Sequence, residues 1–104
     1  MPHTPFEEIW TRIVAHVGEA FYTITGLQFT YEVEADGFYP SRTHYRISRA
    51  DFERAYQMVP IDGPGKINWI VRGPSYVWAV LHDERISRGE WQAGQSEEGG
   101  GLIP

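Results

Sequence analysis

The sequence contains no cysteine. That absence excludes disulfides, thiolate-bound metal and a cysteine nucleophile together, and it leaves the redox compartment open. No apolar run approaches the roughly 18 to 20 residues that span a bilayer. The opening MPHTPFEEIW lacks the cationic and apolar regions of a secretory leader, so the expectation is a cytoplasmic protein with no membrane partner. Internal repeats are absent as well. Basic residues are in the minority, with 9 Lys and Arg against 14 Asp and Glu and a net charge of −5. Such a balance favours solubility and argues against a chain whose main business is coating nucleic acid.

What is present is enough for one core. A chain of 104 residues, 41% hydrophobic, has room for a single domain that buries somewhat over about 60% of its unfolded surface. Its charge is unevenly placed. Residues 1–40 set Arg12 against Glu7, Glu8, Glu19, Glu32, Glu34 and Asp36, one minus six, or −5. Residues 41–74 reverse this, with Arg42, Arg46, Arg49, Arg54, Lys66 and Arg72 against Asp51, Glu53 and Asp62, six minus three, or +3. A basic middle between acidic ends hints weakly at an anionic partner and more strongly at internal pairing.

Thr4, Pro5 and Glu7 read as a capping box with proline at the first helical position. Phe6, Ile9, Trp10, Ile13, Val14 and Val17 then repeat at helical spacing, with Glu8 and Arg12 on the opposite face, His16 on the rim and Gly18 as the stop. From Phe21 the period changes to two. The runs FYTITG, LQFTYEVE and YPSRTHYRIS, separated by glycine turns, predict a three-stranded antiparallel meander. A two-residue Asp36-Gly37 turn would set the arginines among the apolar row. One extra residue near Pro40 repairs the register, pairing Phe29 with Tyr45, Leu27 with Ile47 and Glu32 with Arg42.

Ser48 and Asp51 form a second capping signal for a helix carrying Phe52, Ala55, Tyr56 and Val59 and ended by Pro60. A short helix over residues 66–72 and a last helix from Pro74 follow, divided by Gly73. The expected fold is therefore α+β: an N-terminal helix, the meander, then three short helices packed on one sheet face. Residues 1–88 form the compact domain. Residues 89–104, rich in glycine, read as a flexible tail in which Trp91 and the closing Leu-Ile are the groups able to dock.

The run GPSYVWAVLHDERIS, residues 73–87, holds a serine, a tyrosine and a His-Asp pair, and it invites a catalytic reading. Wound as a helix, Tyr76, Val77, Trp78, Val80 and Leu81 cover a broad apolar arc, leaving Ser75, Ala79 and His82 on the other side. Ser75 and His82 are then about 10 Å apart along the axis, too far for a nucleophile and its base. A His-Asp dipeptide resembles that of metal-dependent phosphohydrolases, but those need further histidines and an aspartate on other helices. Here His3, His16 and His44 fall on unrelated elements, with no metal-ligand spacing. His82 reads instead as a helix C-terminal residue whose imidazole the dipole renders partly cationic. The acids have structural roles, Glu7 and Glu8 in a helical first turn and Glu32 and Glu34 on a strand face, and DGPGK lacks the strand and Ser or Thr of a phosphate loop.

Two surfaces remain. Trp69 points outward from the short helix with Arg72 one turn on to stack against it, an interface composition that also fits self-association. Arg42, His44 and Arg46 alternate along one strand face, with Arg49 beyond and Tyr39 at the hairpin end, able to hold phosphate and stack a base. The sequence thus predicts no enzyme, metal or cofactor. It predicts a small binding or assembly module acting through Trp69, Arg72 and the exposed sheet face, with nucleic-acid binding through Arg42, Arg46 and Arg49 as the alternative.

Overall fold

The structure is a computed structural model that describes residues 4–91. Its architecture is α+β, in the order α1 (Phe6–Ala15), β1 (Phe21–Tyr22), β2 (Gln28–Phe29), β3 (Tyr31–Glu34), β4 (Gly37–Pro40), β5 (Ile47–Ser48), α2 (Arg49–Tyr56), a 3-10 turn (Pro64–Ile67), α3 (Pro74–Leu81) and α4 (Glu84–Ser87). The expected glycine-rich tail beyond residue 91, like His3, lies outside the described residues.

α1 buries Phe6, Ile9, Trp10 and Ile13. Its buried face is rotated from the predicted one, because Val14 is 45% exposed while Arg12 is buried. The capping box does not form. Pro5 is the N-cap and makes no side-chain hydrogen bond, and the Thr4 hydroxyl donates instead to Glu90 Oε1 at 2.6 Å.

The meander keeps its chain order but divides into two small antiparallel sheets, β1-β2 and β3-β4-β5. The break falls at Thr30, whose N–H and C=O both bond to Ser41, through the serine Oγ at 3.0 Å and its N–H at 2.9 Å. β3 pairs with β4 as Tyr31 with Pro40, Glu32 with Tyr39, Val33 with Phe38 and Glu34 with Gly37. The turn thus sits one residue earlier than expected, on Ala35 and Asp36, with Ala35 at φ 54°, and the register moves by three, Glu32 facing Tyr39 where Arg42 was expected. Gly37 serves close approach, since a Cβ there would stand 2.6 Å from Arg46 Nε and 3.0 Å from the Tyr39 ring.

The predicted third strand is two strands. Pro40 cannot extend the ladder as a donor, residues 41–46 leave the sheet, and the chain returns as β5 on the far side of β4, with Ile47 opposite Phe38. The excursion supplies the phase shift that a bulge was expected to provide. The proposed Phe29–Tyr45, Leu27–Ile47 and Glu32–Arg42 pairs do not occur.

Ser48 accepts from the Asp51 N–H at 3.1 Å and caps α2 as read. The core is continuous across the layers: Trp10 of α1 meets Phe52 of α2 edge-on at 5.8 Å, Phe52 meets Phe38 of β4 at 4.7 Å, and Phe38 stacks on Tyr31 of β3 at 4.5 Å. The short helix of residues 66–72 is a 3-10 turn that begins two residues earlier, at Pro64, whose fixed φ starts it. What was read as one helix from Pro74 to Ser87 is two. α3 stops at Leu81, and Asp83 caps α4 by accepting from the Arg85 N–H at 2.9 Å. Ala79, expected on the outer side, is buried.

Gly73 precedes α3 with φ 61°, and a Cβ there would approach Ile47 Cδ1 to 2.6 Å and the Tyr45 hydroxyl to 3.2 Å. Gly73→Ala is expected to cost about 2 to 3 kcal/mol, from left-handed backbone strain together with overpacking against buried Ile47. Urea unfolding reads this directly, and an unchanged midpoint would show that the turn relaxes freely.

Candidate functional site

Trp69 stands on the irregular stretch between the 3-10 turn and α3. Ile67 and Val71 are buried on either side of it, and Ile70 packs on the core from a half-buried position. Bracing on the inner side leaves the indole no inward path, and it is 92% exposed. Gly65, Asn68 and Trp69 line an open hollow of about 400 Å³. Close by, a Cβ on Gly63 would meet Ile24 Cδ1 at 3.7 Å, so the turn between β1 and β2 approaches this side of the molecule. That turn leaves Ile24 and Leu27 half exposed, a surface that sequence reasoning assigned to the meander and did not single out.

Arg72 does not stack on Trp69. Its guanidinium lies 5.0 Å above the Tyr45 ring, and its backbone N–H points to Asp51 Oδ2 at 3.4 Å. Asp51 also pairs with Arg54. The anchor pair is therefore separated, because the polypeptide after Trp69 turns inward to place Val71 and Gly73.

The basic ribbon is dispersed. Arg42, His44 and Arg46 lie in the 41–46 excursion, exposed but not alternating on a strand. Arg46 alone returns over the sheet, beside Tyr39 and above Gly37, while Glu32 and Glu34 are exposed on the paired strand. Arg49 turns the other way. It approaches Asp36 at 3.9 Å and sits 5.6 Å and 5.9 Å from the Phe6 and Trp10 ring centroids. There it borders an open polar hollow of about 480 Å³ with Glu7, Asp36, Ser48, Ala50 and Glu53. Carboxylates outnumber the one cation in that hollow, which suits a phosphate poorly.

The polar groups of the 73–87 segment are engaged in holding the fold. His82 Nε2 accepts the Ile61 N–H at 3.0 Å, which places the ring proton on Nδ1, 3.1 Å from the Trp78 carbonyl. The indole of Trp78 stacks on the imidazole at 5.1 Å and donates to the Ile61 carbonyl at 2.8 Å. Burial pushes the His82 pKa down, only partly opposed by the Trp78 carbonyl. An Nε2 that accepts the Ile61 N–H carries no proton, so in this geometry the ring is neutral and not the partly cationic C-terminal group that the helix dipole suggested. Ser75 is exposed in the first turn of α3. Among the described residues, no group of three or more His, Asp or Glu could hold a metal ion.

Two arginines tie distant segments together: Arg12, expected on the outer face of α1, and Arg85, to which the sequence assigned no role. Arg12 donates to the Ile86 carbonyl at 2.8 Å and to Glu90 Oε2 at 2.9 Å, with Glu8 at 3.4 Å. Arg85 grips Asp83 with two bonds of 2.8 and 2.9 Å, reaches Glu19 at 2.9 Å and the Ala20 carbonyl at 2.7 Å, and covers the Phe21 ring at 3.8 Å. Burial would raise the Asp83 carboxyl, yet the side-chain and backbone hydrogen bonds from Arg85 outweigh it and hold it below its ordinary value. His16, read as a rim residue, is half-buried and bonds Glu19 at 3.0 Å. No helix among the described residues is long and apolar enough to cross a membrane.

No protein-family model matches the chain, and neither a curated protein nor a solved structure is similar to it.

Proposed function

We propose that the chain is a small, cytoplasmic, non-catalytic binding or assembly module whose interaction surface centres on Trp69, with Arg72 and the exposed sheet face at its margins. The observation that carries this reading is the exposure of Trp69, 92%, on a segment whose neighbours are anchored in the core. Trp10 and Trp91 are buried in the same molecule. A large rigid side chain held in water adds nothing to folding, whereas covering it with a partner contributes roughly 2 to 4 kcal/mol of binding. The hollow beside it, lined by Gly65 and Asn68, offers room for an apolar group together with an amide able to orient it. The side chains that could do chemistry give less support to catalysis: both nitrogens of His82 are occupied, and Ser75 and His44 are exposed on separate elements.

Nucleic-acid binding through Arg42, Arg46 and Arg49 is the second reading. It rests on the exposure of Arg42, His44 and Arg46, the last of them beside Tyr39, and it is weakened by the turning away of Arg49 and by the exposed Glu32 and Glu34 on the paired strand. Salt separates the two. Sedimentation of the purified chain over a wide concentration range, and capture of candidate protein partners on the immobilised chain, should tolerate about 0.5 M salt and be lost in Trp69→Ala. The same variant should melt at the wild-type temperature. Binding of a single-stranded oligonucleotide that falls by orders of magnitude between low and physiological salt, and that survives Trp69→Ala, would instead favour the basic residues.

A further inference from the structure

His82, Trp78 and Ile61 form a closed set of bonds at one place. The Ile61 N–H and C=O are both taken by α3 side chains, the N–H by His82 Nε2 and the C=O by the Trp78 indole N–H. The set thus pins residues 57–63, the segment that leaves α2 and leads to the 3-10 turn below Trp69, to the outer turn of α3. Ile61 is itself buried, so its backbone is held from both sides.

We propose that this set is an acid-sensitive latch: protonation of His82 releases the Ile61 N–H and frees the 57–63 segment from α3. The bond requires Nε2 to be an acceptor. A proton on Nε2 makes it a donor facing a donor, and the Ile61 N–H is left without a partner in a site partly closed to water. The ring does not leave in its place. Its Nδ1–H keeps the Trp78 carbonyl, and an imidazolium stacked on indole is favoured by the aromatic face. What yields is the segment, which swings on the remaining bond between its carbonyl and the indole.

The direction with pH follows from burial. A histidine whose folded pKa lies below its ordinary value contributes stability that is fully present above about 6.5. That stability is lost as the pH falls through the folded value. Charges nearby do not reverse this. Asp83, next along the chain, is committed to Arg85, Asp62 in the pinned segment is exposed, and burial and the Trp78 carbonyl are the causes that act on His82. Across residues 57–63, 73–83 and the β1–β2 turn the other titratable side chains are Tyr76, which packs against Phe29, and Tyr22, which bonds Gln28. On the elements packed against α3, Lys66, Glu53, Arg54 and Glu84 are exposed and Asp51 is paired with Arg54.

The latch belongs to the free chain, so it stands or falls apart from any partner of Trp69. Amide exchange followed by NMR from pH 7.5 to 5, with rates corrected for intrinsic exchange, tests it. The protection of the Ile61 N–H should fall about tenfold or more, in step with the shift of the His82 ring protons, while the Phe38 N–H in β4 stays protected. In His82→Gln, whose side-chain oxygen can accept at every pH, Ile61 protection should be independent of pH. An Ile61 amide that keeps its protection while the ring titrates would overturn the latch. So would a ring still neutral at pH 5, loss of protection in parallel with Phe38, or the wild-type pH dependence persisting in His82→Gln.

Discussion

A chain ending at Arg88 is expected to be largely unfolded at room temperature. The cut removes Trp91, which is buried, meets Tyr56 edge-on at 5.2 Å and donates to the Leu81 carbonyl at 2.8 Å. Truncation of such a tryptophan costs about 3 to 5 kcal/mol through lost burial and the cavity left behind. The cut also removes Glu90, the carboxylate that answers buried Arg12. A domain of this size has a total stability of about 5 to 15 kcal/mol, so the combined loss consumes most of it. Circular dichroism and urea unfolding of chains ending at Arg88 and at Gln92 provide the measurement. The longer should unfold cooperatively near the full-length midpoint and the shorter should show little native signal. Equal midpoints would place the domain boundary where composition alone suggested it, at residue 88.

The second large effect is expected at Arg12. Arg12→Ala deletes a guanidinium that is 5% exposed and strands the Ile86 carbonyl and Glu90 together, with a loss of about 3 kcal/mol. Glu90→Gln, which leaves the cation buried with weaker partners, should cost about 2 kcal/mol. The double variant should cost clearly less than the sum of the two, because each single change leaves the other group unanswered. Additive losses in denaturant titrations would mean that the pair is not coupled and that Arg12 acts only through its packed stem.

α1, the Ser48 cap and the start of α3 at Pro74 were legible because their signals are local: helical spacing, a hydroxyl three residues before an amide, a ring that fixes φ. The α+β class followed from the same periodicities. Sheet register was not legible. The Asp36-Gly37 pair looks like a turn, but Gly37 answers the approach of Arg46 from beyond the strand and of the Tyr39 ring two residues on. Likewise Thr4 carries every local mark of a cap and bonds instead to Glu90, 86 residues away. Arg12 was misplaced for the same reason, since its two shortest bonds go to Ile86 and Glu90. For the candidate site, the outward Trp69 could be read from the spacing of Ile67, Ile70 and Val71, whereas the desertion of Arg72 to Tyr45 and the breaking of the arginine ribbon depend on a loop whose path periodicity does not describe.

The bond between Thr4 and Glu90 has a bearing on how the molecule is made. Synthesis delivers α1 well before Glu90, which bonds Thr4 and Arg12, and contacts of such long separation close slowly. A nascent polypeptide on the ribosome therefore carries Phe6 and Trp10 bare until Tyr56 and Phe52 of α2 have emerged, and Arg12 without Ile86 and Glu90 until those follow. The interval before α2 is the one in which a chaperone has an apolar helix to grasp.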